Sequence, residues 1–202
     1  MKQSEKQQLV FLFNQFLERE PVQLDFKLAK AARKLPTVFT DSEAKAVLAY
    51  LREIPRLAVE LMYGGGLRIN ECVRLRVKDI DFGQQAIYVR SGKGGKDRVT
   101  LLPRNSAEGL RRQLEYVRKL HEFDQARNLA GVYLPYALER KYPSAGRELA
   151  WQYLFPAAEP ATDPRSGILR RHHLSASTIQ KQVRKAIRQA GIDKQAGCHT
   201  LR

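Results

Sequence analysis

The chain has 202 residues, enough to bury one good core with a small appended piece. Its 36 lysines and arginines against 21 aspartates and glutamates give a formal net charge of +15 and a pI near 10.1. A compact body so charged repels itself, which asks for a polyanionic partner, nucleic acid first and an anionic membrane surface second. No apolar run approaches the roughly 20 residues needed to span a bilayer, residues 1–8 do not read as a signal peptide, and Cys72 and Cys198 are too few for a disulfide framework, so a reducing cytoplasm is expected.

Residues 1–20 read as one helix, with Val10, Phe13, Phe16 and Leu17 at helical spacing and Leu9 and Leu12 widening the stripe. A lone helix of this kind lacks a partner core, so the start reads as cut inside a longer protein. Residues 21–35 form a basic linker carrying Lys27, Lys30, Arg33 and Lys34, with no core face along its length. A domain over 36–202 follows. Thr40 and Glu43 predict a capping box ahead of a helix with Val47, Leu48, Leu51 and Ile54 on its apolar side. Pro55 opens the next helix, Gly64-Gly65-Gly66 closes it, and a short helix holds Ile69, Cys72, Val73 and Leu75. The period then changes: 86–89 and 98–102 read as strands around a turn at 91–96. Asn105 with Glu108 suggests another cap for a long helix, with Leu110, Leu114 and Val117 inward and Arg111, Arg112, Arg118 and Lys119 outward. Short helices are expected after Pro135 and Ser144, and a loop over 156–171. Ser175 or Ser177 starts a helix with Ile179, Val183, Ile187 and Ala190 on one face, stopped by Gly191. The fold class is therefore mainly α with a small antiparallel sheet or hairpin.

Three segments carry phosphate chemistry. In Gly64-Gly65-Gly66-Leu67-Arg68 the glycines permit a tight turn that places Arg68 at a helix start, and Glu71 stands one turn on, placed to pair with Arg68 or to orient a neighbour. Gly92-Lys93-Gly94-Gly95-Lys96-Asp97-Arg98 puts two ammonium groups and a guanidinium on a hairpin; Lys93, among cations, is suited to giving a proton to a leaving oxygen. The segment lacks the Gly-Lys-Ser/Thr ending of a nucleotide phosphate loop. His199 and Arg202 share a helix face, so two arginines and an imidazole are available to neutralise the non-bridging oxygens of one phosphate without a metal. A zinc site from His172, His173, Cys198 and His199 lacks ligand spacing, and no metal is expected. Lys181, Arg184, Lys185 and Arg188 lie on one helix face with no acid among them, suited to a DNA backbone.

The order arginine, hairpin lysine, then His-x-x-Arg resembles the catalytic domain of the tyrosine recombinases, or phage-type integrases, from about Leu35 to Arg202. The resemblance implies that fold, incomplete at its C-terminus. It implies that Arg68, Lys93, His199 and Arg202 are catalytic, that Glu71 supports them, and that Lys96 and Arg98 meet DNA. The helix and linker over 1–35 look like the tail of the family's N-terminal DNA-clamping domain. Leu134-Pro135-Tyr136-Ala137-Leu138-Glu139-Arg140-Lys141-Tyr142-Pro143, within an insertion over about 131–157, is similar to integron integrases. That subgroup recombines folded single-stranded as well as double-stranded sites, and Pro164, His172 and His173 match where an extrahelical base is held. Tyr136, Tyr142, Trp151 and Tyr153 serve core or subunit contacts, or base stacking.

Family chemistry runs through a tyrosine that attacks the scissile phosphate, leaving a 3′-phosphotyrosyl link. It needs no cofactor and works as a tetramer on DNA, here in the bacterial cytoplasm at the nucleoid. All eight tyrosines of this chain precede His199. The expectation is therefore a truncated recombinase that binds DNA without cleaving it, with a non-catalytic basic DNA-binding protein as the alternative.

Overall fold

The computed structural model describes Phe11, residues 37–90, Gly92 and residues 96–201. The chain divides into two units, Met1–Leu35 and Pro36–Arg202. Apart from Phe11, the helix and linker expected over 1–35 lie outside the described residues.

Helix α1 (Asp41–Tyr50) starts at Thr40, whose hydroxyl accepts from the Glu43 N–H at 3.2 Å while the Glu43 carboxylate accepts from the Thr40 N–H at 2.8 Å. This is the reciprocal cap read from the sequence. Helix α2 (Glu53–Gly65) ends at Gly66, whose φ of 62° is the left-handed cap that glycine adopts without strain. Helix α3 (Ile69–Val73) follows after two residues. Strands β1 (Ile80–Asp81), β2 (Ala86–Val89) and β3 (Arg98–Leu101) form an antiparallel sheet in the order β1-β2-β3, with Ile80 opposite Ile87 and Tyr88 opposite Val99. The sheet thus has one strand more than the hairpin expected.

Helix α4 (Ala107–Ala126) buries Leu110 and Val117 and exposes Arg111, Arg112, Arg118 and Lys119. The cap expected from Asn105 and Glu108 does not form. Residues 104–106 make a 3-10 turn that feeds directly into α4, and Glu108 pairs with Arg112 one turn on. Helix α5 (Tyr136–Lys141) and 3-10 turns at Ala145–Arg147 and Leu149–Trp151 occupy the stretch expected as an insertion. The loop expected over 156–171 contains a hairpin, β4 (Ala161–Thr162) with β5 (Leu169–Arg170), turned by Gly167. Helix α6 (Ala176–Gln189) is capped by the Ser175 hydroxyl, and a 3-10 turn covers Cys198–Leu201.

Helix α2 lies at the centre. Leu57, Ala58, Val59, Leu61 and Met62 are all buried, a wide apolar face that leaves a narrow outer stripe of Arg56, Glu60 and Tyr63. It packs against α1, α3, α4, α6, β3 and the Cys198–Leu201 turn. Each fully buried leucine or methionine there contributes about 2 kcal/mol. The consequence for function is positional. Both ends of the sequence motif, the α2–α3 junction and the Cys198–Leu201 turn, are anchored on the same buried helix.

Candidate active site

Arg68 occupies the N-cap of α3 in extended conformation (φ −74°, ψ 149°). Its backbone N–H donates to Glu71 Oε2 at 2.8 Å, and its guanidinium donates to Glu71 Oε1 at 2.9 Å. From β3, Arg98 donates to both oxygens of the same carboxylate, at 3.0 and 2.8 Å, and to the Gly66 carbonyl at 3.3 Å. Glu71 is therefore a buried hinge pin between two arginines, with its side chain 6% exposed. Burial pushes its carboxyl pKa up, but the bonds from Arg98 and then Arg68 pull harder and hold it at about 2. The carboxylate stays charged across the working range and fixes the direction of Arg68. Arg98, expected on DNA, is committed to this inner pairing.

Arg68 opens onto a cleft of ≈ 350 Å³ whose wall also includes Arg74, Arg90, Gln180 and His199. His199 stands exposed on the Cys198–Leu201 turn because Cys198 and Leu201, on either side, are buried. The local helix expected for it is a 3-10 turn. Burial pushes the Cys198 thiol up to about 11, so it is a packing residue. Gly92 lines the cleft as well. Its neighbour Lys93, and Arg202, lie outside the described residues. Thus the structure brings Arg68, Glu71 and His199 to one place from distant parts of the chain. Arg74, Arg90 and Gln180 had no signal in the sequence, since each is one polar residue among many until the fold gathers them.

The remaining expected residues sit elsewhere. Lys96 and Pro164 are exposed. On α6, Ile179, Val183, Ala186 and Ile187 are buried, and Lys181, Arg184, Lys185 and Arg188 are all exposed. His173 donates through Nδ1–H to the Leu174 carbonyl, 2.9 Å away, and meets Tyr153 edge to face at 5.3 Å. His172 is half-buried, with Nε2 3.9 Å from the fully buried Asp163. Burial lowers its pKa against the pull of Asp163. Trp151 is half-buried under the Lys78 ammonium, Tyr153 is buried and Tyr142 is exposed. The Tyr136 side chain lies outside the described residues. Among the described residues, no group of three or more His, Cys, Asp or Glu is gathered so as to hold a metal ion.

Two arginines missed in the sequence, the half-buried Arg76 and the buried Arg171, tie the 131–157 stretch to the body. Arg76 donates to the carbonyls of Trp151 (2.5 Å) and Tyr133 (2.8 Å) and stacks on the Tyr153 ring at 4.6 Å. Arg171 donates to both oxygens of Asp124 (2.6 and 2.7 Å) and to the carbonyls of Ala157 and Ala158.

Residues 37–202 match the model of the phage integrase family. The chain belongs to the phage integrase family. It is 47% identical over 173 residues to an integrase/recombinase of Escherichia coli, covering 86% of this chain and 51% of that protein. It is 41% identical over 92 residues to the tyrosine recombinase XerA of Thermococcus kodakarensis, covering 44% of this chain and 33% of that one. The chain thus spans about half the length of the E. coli relative. Among solved structures it resembles a lambda integrase dimer bound to a COC′ core site (TM-score 0.56, 15% identity, 97% of this chain and 48% of that one). It also resembles XerH bound to a difH substrate before cleavage (TM-score 0.54, 21% identity, 100% and 52%). At such identities these likenesses establish the fold: a helix-rich phage integrase catalytic-domain fold with a small antiparallel sheet. In this phage integrase family chain, the cleft between Arg68 and His199 is where that fold brings its basic groups together.

Proposed function

We propose that this chain is the catalytic part of a site-specific DNA recombinase of the integron integrase type, which moves gene cassettes through a 3′-phosphotyrosyl intermediate. The observation that carries the reading is the cleft, where Arg68, fixed by Glu71, faces the same space as His199. Arg68 and Arg202 hold the non-bridging oxygens of the scissile phosphate, and His199 hydrogen-bonds one of them. Lys93 gives its proton to the leaving 5′ oxygen. Glu71 and Arg98 are positioning residues. The chemistry conserves phosphodiester bond energy, so it runs without metal or nucleotide.

Lys96 and the exposed face of Lys181, Arg184, Lys185 and Arg188 meet the DNA backbone, which accords with the net charge of +15. Pro164, His172 and His173 hold an extrahelical base of a folded single-stranded site, with His173 set in place by Tyr153. The working species is a homotetramer on DNA in the bacterial cytoplasm, and residues 1–35 end an N-terminal clamping domain.

A nicked suicide substrate incubated with the recombinase carrying its tyrosine segment tests the reading. Covalent protein–DNA adducts are expected, and Arg68→Ala is expected to reduce them at least a hundredfold; no adduct with the unaltered protein overturns it. Gel shifts test the base pocket: His173→Ala weakens binding to a bulged hairpin more than to a plain duplex, and equal weakening removes that assignment.

A further inference from the structure

We infer that Arg90, held by the buried carboxylate of Asp79, is a second phosphate-binding group of the cleft, taking the backbone phosphate next to the one held by Arg68. This rests on the reading of the cleft as a DNA site. Asp79 lies in the 3-10 turn Val77–Asp79 and its side chain is 4% exposed. One oxygen accepts from Arg90 Nε at 2.9 Å and the other from the Arg76 N–H at 2.9 Å. Both oxygens of this carboxylate are therefore satisfied, which is what its burial requires.

The way Arg90 is held differs from the way Arg98 is held. Arg98 turns both terminal nitrogens onto Glu71, a forked pairing that leaves little for a ligand. Arg90 is bonded among the described residues through Nε alone, and its side chain is 52% exposed on the cleft wall. A guanidinium carries five N–H donors, so anchoring Nε fixes its plane and leaves the terminal fork to take an anion. Its backbone is equally well placed. Arg90 directly follows β2, the central strand of the sheet, whose last residue Val89 is buried.

The charge balance of the cleft points the same way. Glu71 is the acid on its wall, and both of its oxygens are taken by Arg68 and Arg98. Arg74 and His199 line the space with no further counter-carboxylate among its described lining residues, and Arg90 lines it with Nε paired to Asp79 behind the wall. Lys78, near Arg90, is pushed down to about 8 chiefly by its own burial and next by the Arg90 charge. The cleft, ≈ 350 Å³, is a groove open to solvent, with Arg68, Arg74 and Arg90 all on its wall. Successive phosphates of a strand are what such a row of cations meets.

The test is the salt dependence of DNA binding by the 202-residue chain, measured by fluorescence anisotropy on a duplex and on a bulged hairpin. Each neutralised phosphate contributes about 0.9 to the slope of log K against log salt on duplex DNA. Arg90→Gln is expected to lower that slope by about one unit, and Arg90→Lys to recover it. Lys45→Gln, which removes an exposed charge paired with Asp41 on α1, is expected to leave it unchanged. Asp79→Asn is expected to weaken binding alone but to add nothing in the R90Q background. An unaltered slope in R90Q, or the same change in K45Q, overturns the inference while leaving the DNA-site reading standing. Additive losses for D79N and R90Q overturn the positioning by Asp79, and failure of the parent chain to bind DNA overturns both readings.

Discussion

Glu71 shows how one residue sets the chemistry of its neighbours. Three bonds from two arginine side chains and a fourth from the Arg68 N–H converge on one buried carboxylate. Its pKa in the fold is about 2 against an ordinary 4.5. A group depressed in this way stabilises the fold above the unfolded pKa, and the contribution fades as pH falls from about 4.5 toward 2. The difference corresponds to about 3 kcal/mol at neutral pH. Glu71→Gln should therefore cost about that much near pH 7, where it leaves two arginines without their anion, and little near pH 2. Urea unfolding of both proteins from pH 2.5 to 7 reads this directly. The curves are expected to converge at the acid end, and parallel curves would move the acid sensitivity to another carboxylate. The residue was legible in the sequence because its partner Arg68 is three positions away. Arg98 as the second partner was not, since the pairing of β3 with the α2–α3 junction is a tertiary fact.

At the scale of elements, the helices read well and the irregular stretches poorly, for one physical reason. Helices α1, α2 and α6 announce themselves by local rules: a Thr40–Glu43 box, a glycine stop at Gly66, and an apolar face ending before Gly191. Residues 131–157 have little regular backbone, so their carbonyls must find donors from outside. Gln113, Gln125 and the backbone of Val77 and Leu174 supply some, and Arg76 and Arg171, which the sequence shows only as two more cations, supply others. Arg76 replaces a strand partner for Tyr133 and Trp151, and its plane packs on Tyr153. Lysine has a point charge and cannot span two carbonyls while stacking on a ring. Arg76→Lys is expected to destabilise the domain by about 2 kcal/mol. It should also loosen the 131–157 stretch ahead of global unfolding, seen as an early change in Trp151 fluorescence on heating. A single transition with unshifted midpoint would show that Arg76 is dispensable as an anchor.

For the whole molecule the dominant quantity is charge. The Arg68–Glu71 motif and the basic face of α6 were readable because each lies within one local segment. The joining of Arg74, Arg90 and Gln180 with His199 was not, because it depends on α2 carrying both the α2–α3 junction and the Cys198–Leu201 turn. Once folded, these cations add to a net charge of +15. Self-repulsion at that charge reaches across a domain at 0.01 M salt, where the Debye length is about 30 Å, and is confined to near neighbours at 0.15 M, where it is about 8 Å. The unbound chain should therefore melt at a higher temperature as salt rises over this range. A duplex oligonucleotide has the opposite dependence. At 100 times its Kd it adds about 2.7 kcal/mol to the folded state, and that gain shrinks as salt weakens binding. Thermal scans with and without duplex should thus converge as salt increases, the bare protein rising to meet the complex. Parallel scans would mean that the positive charge is spread over the surface without a DNA-binding face to concentrate it.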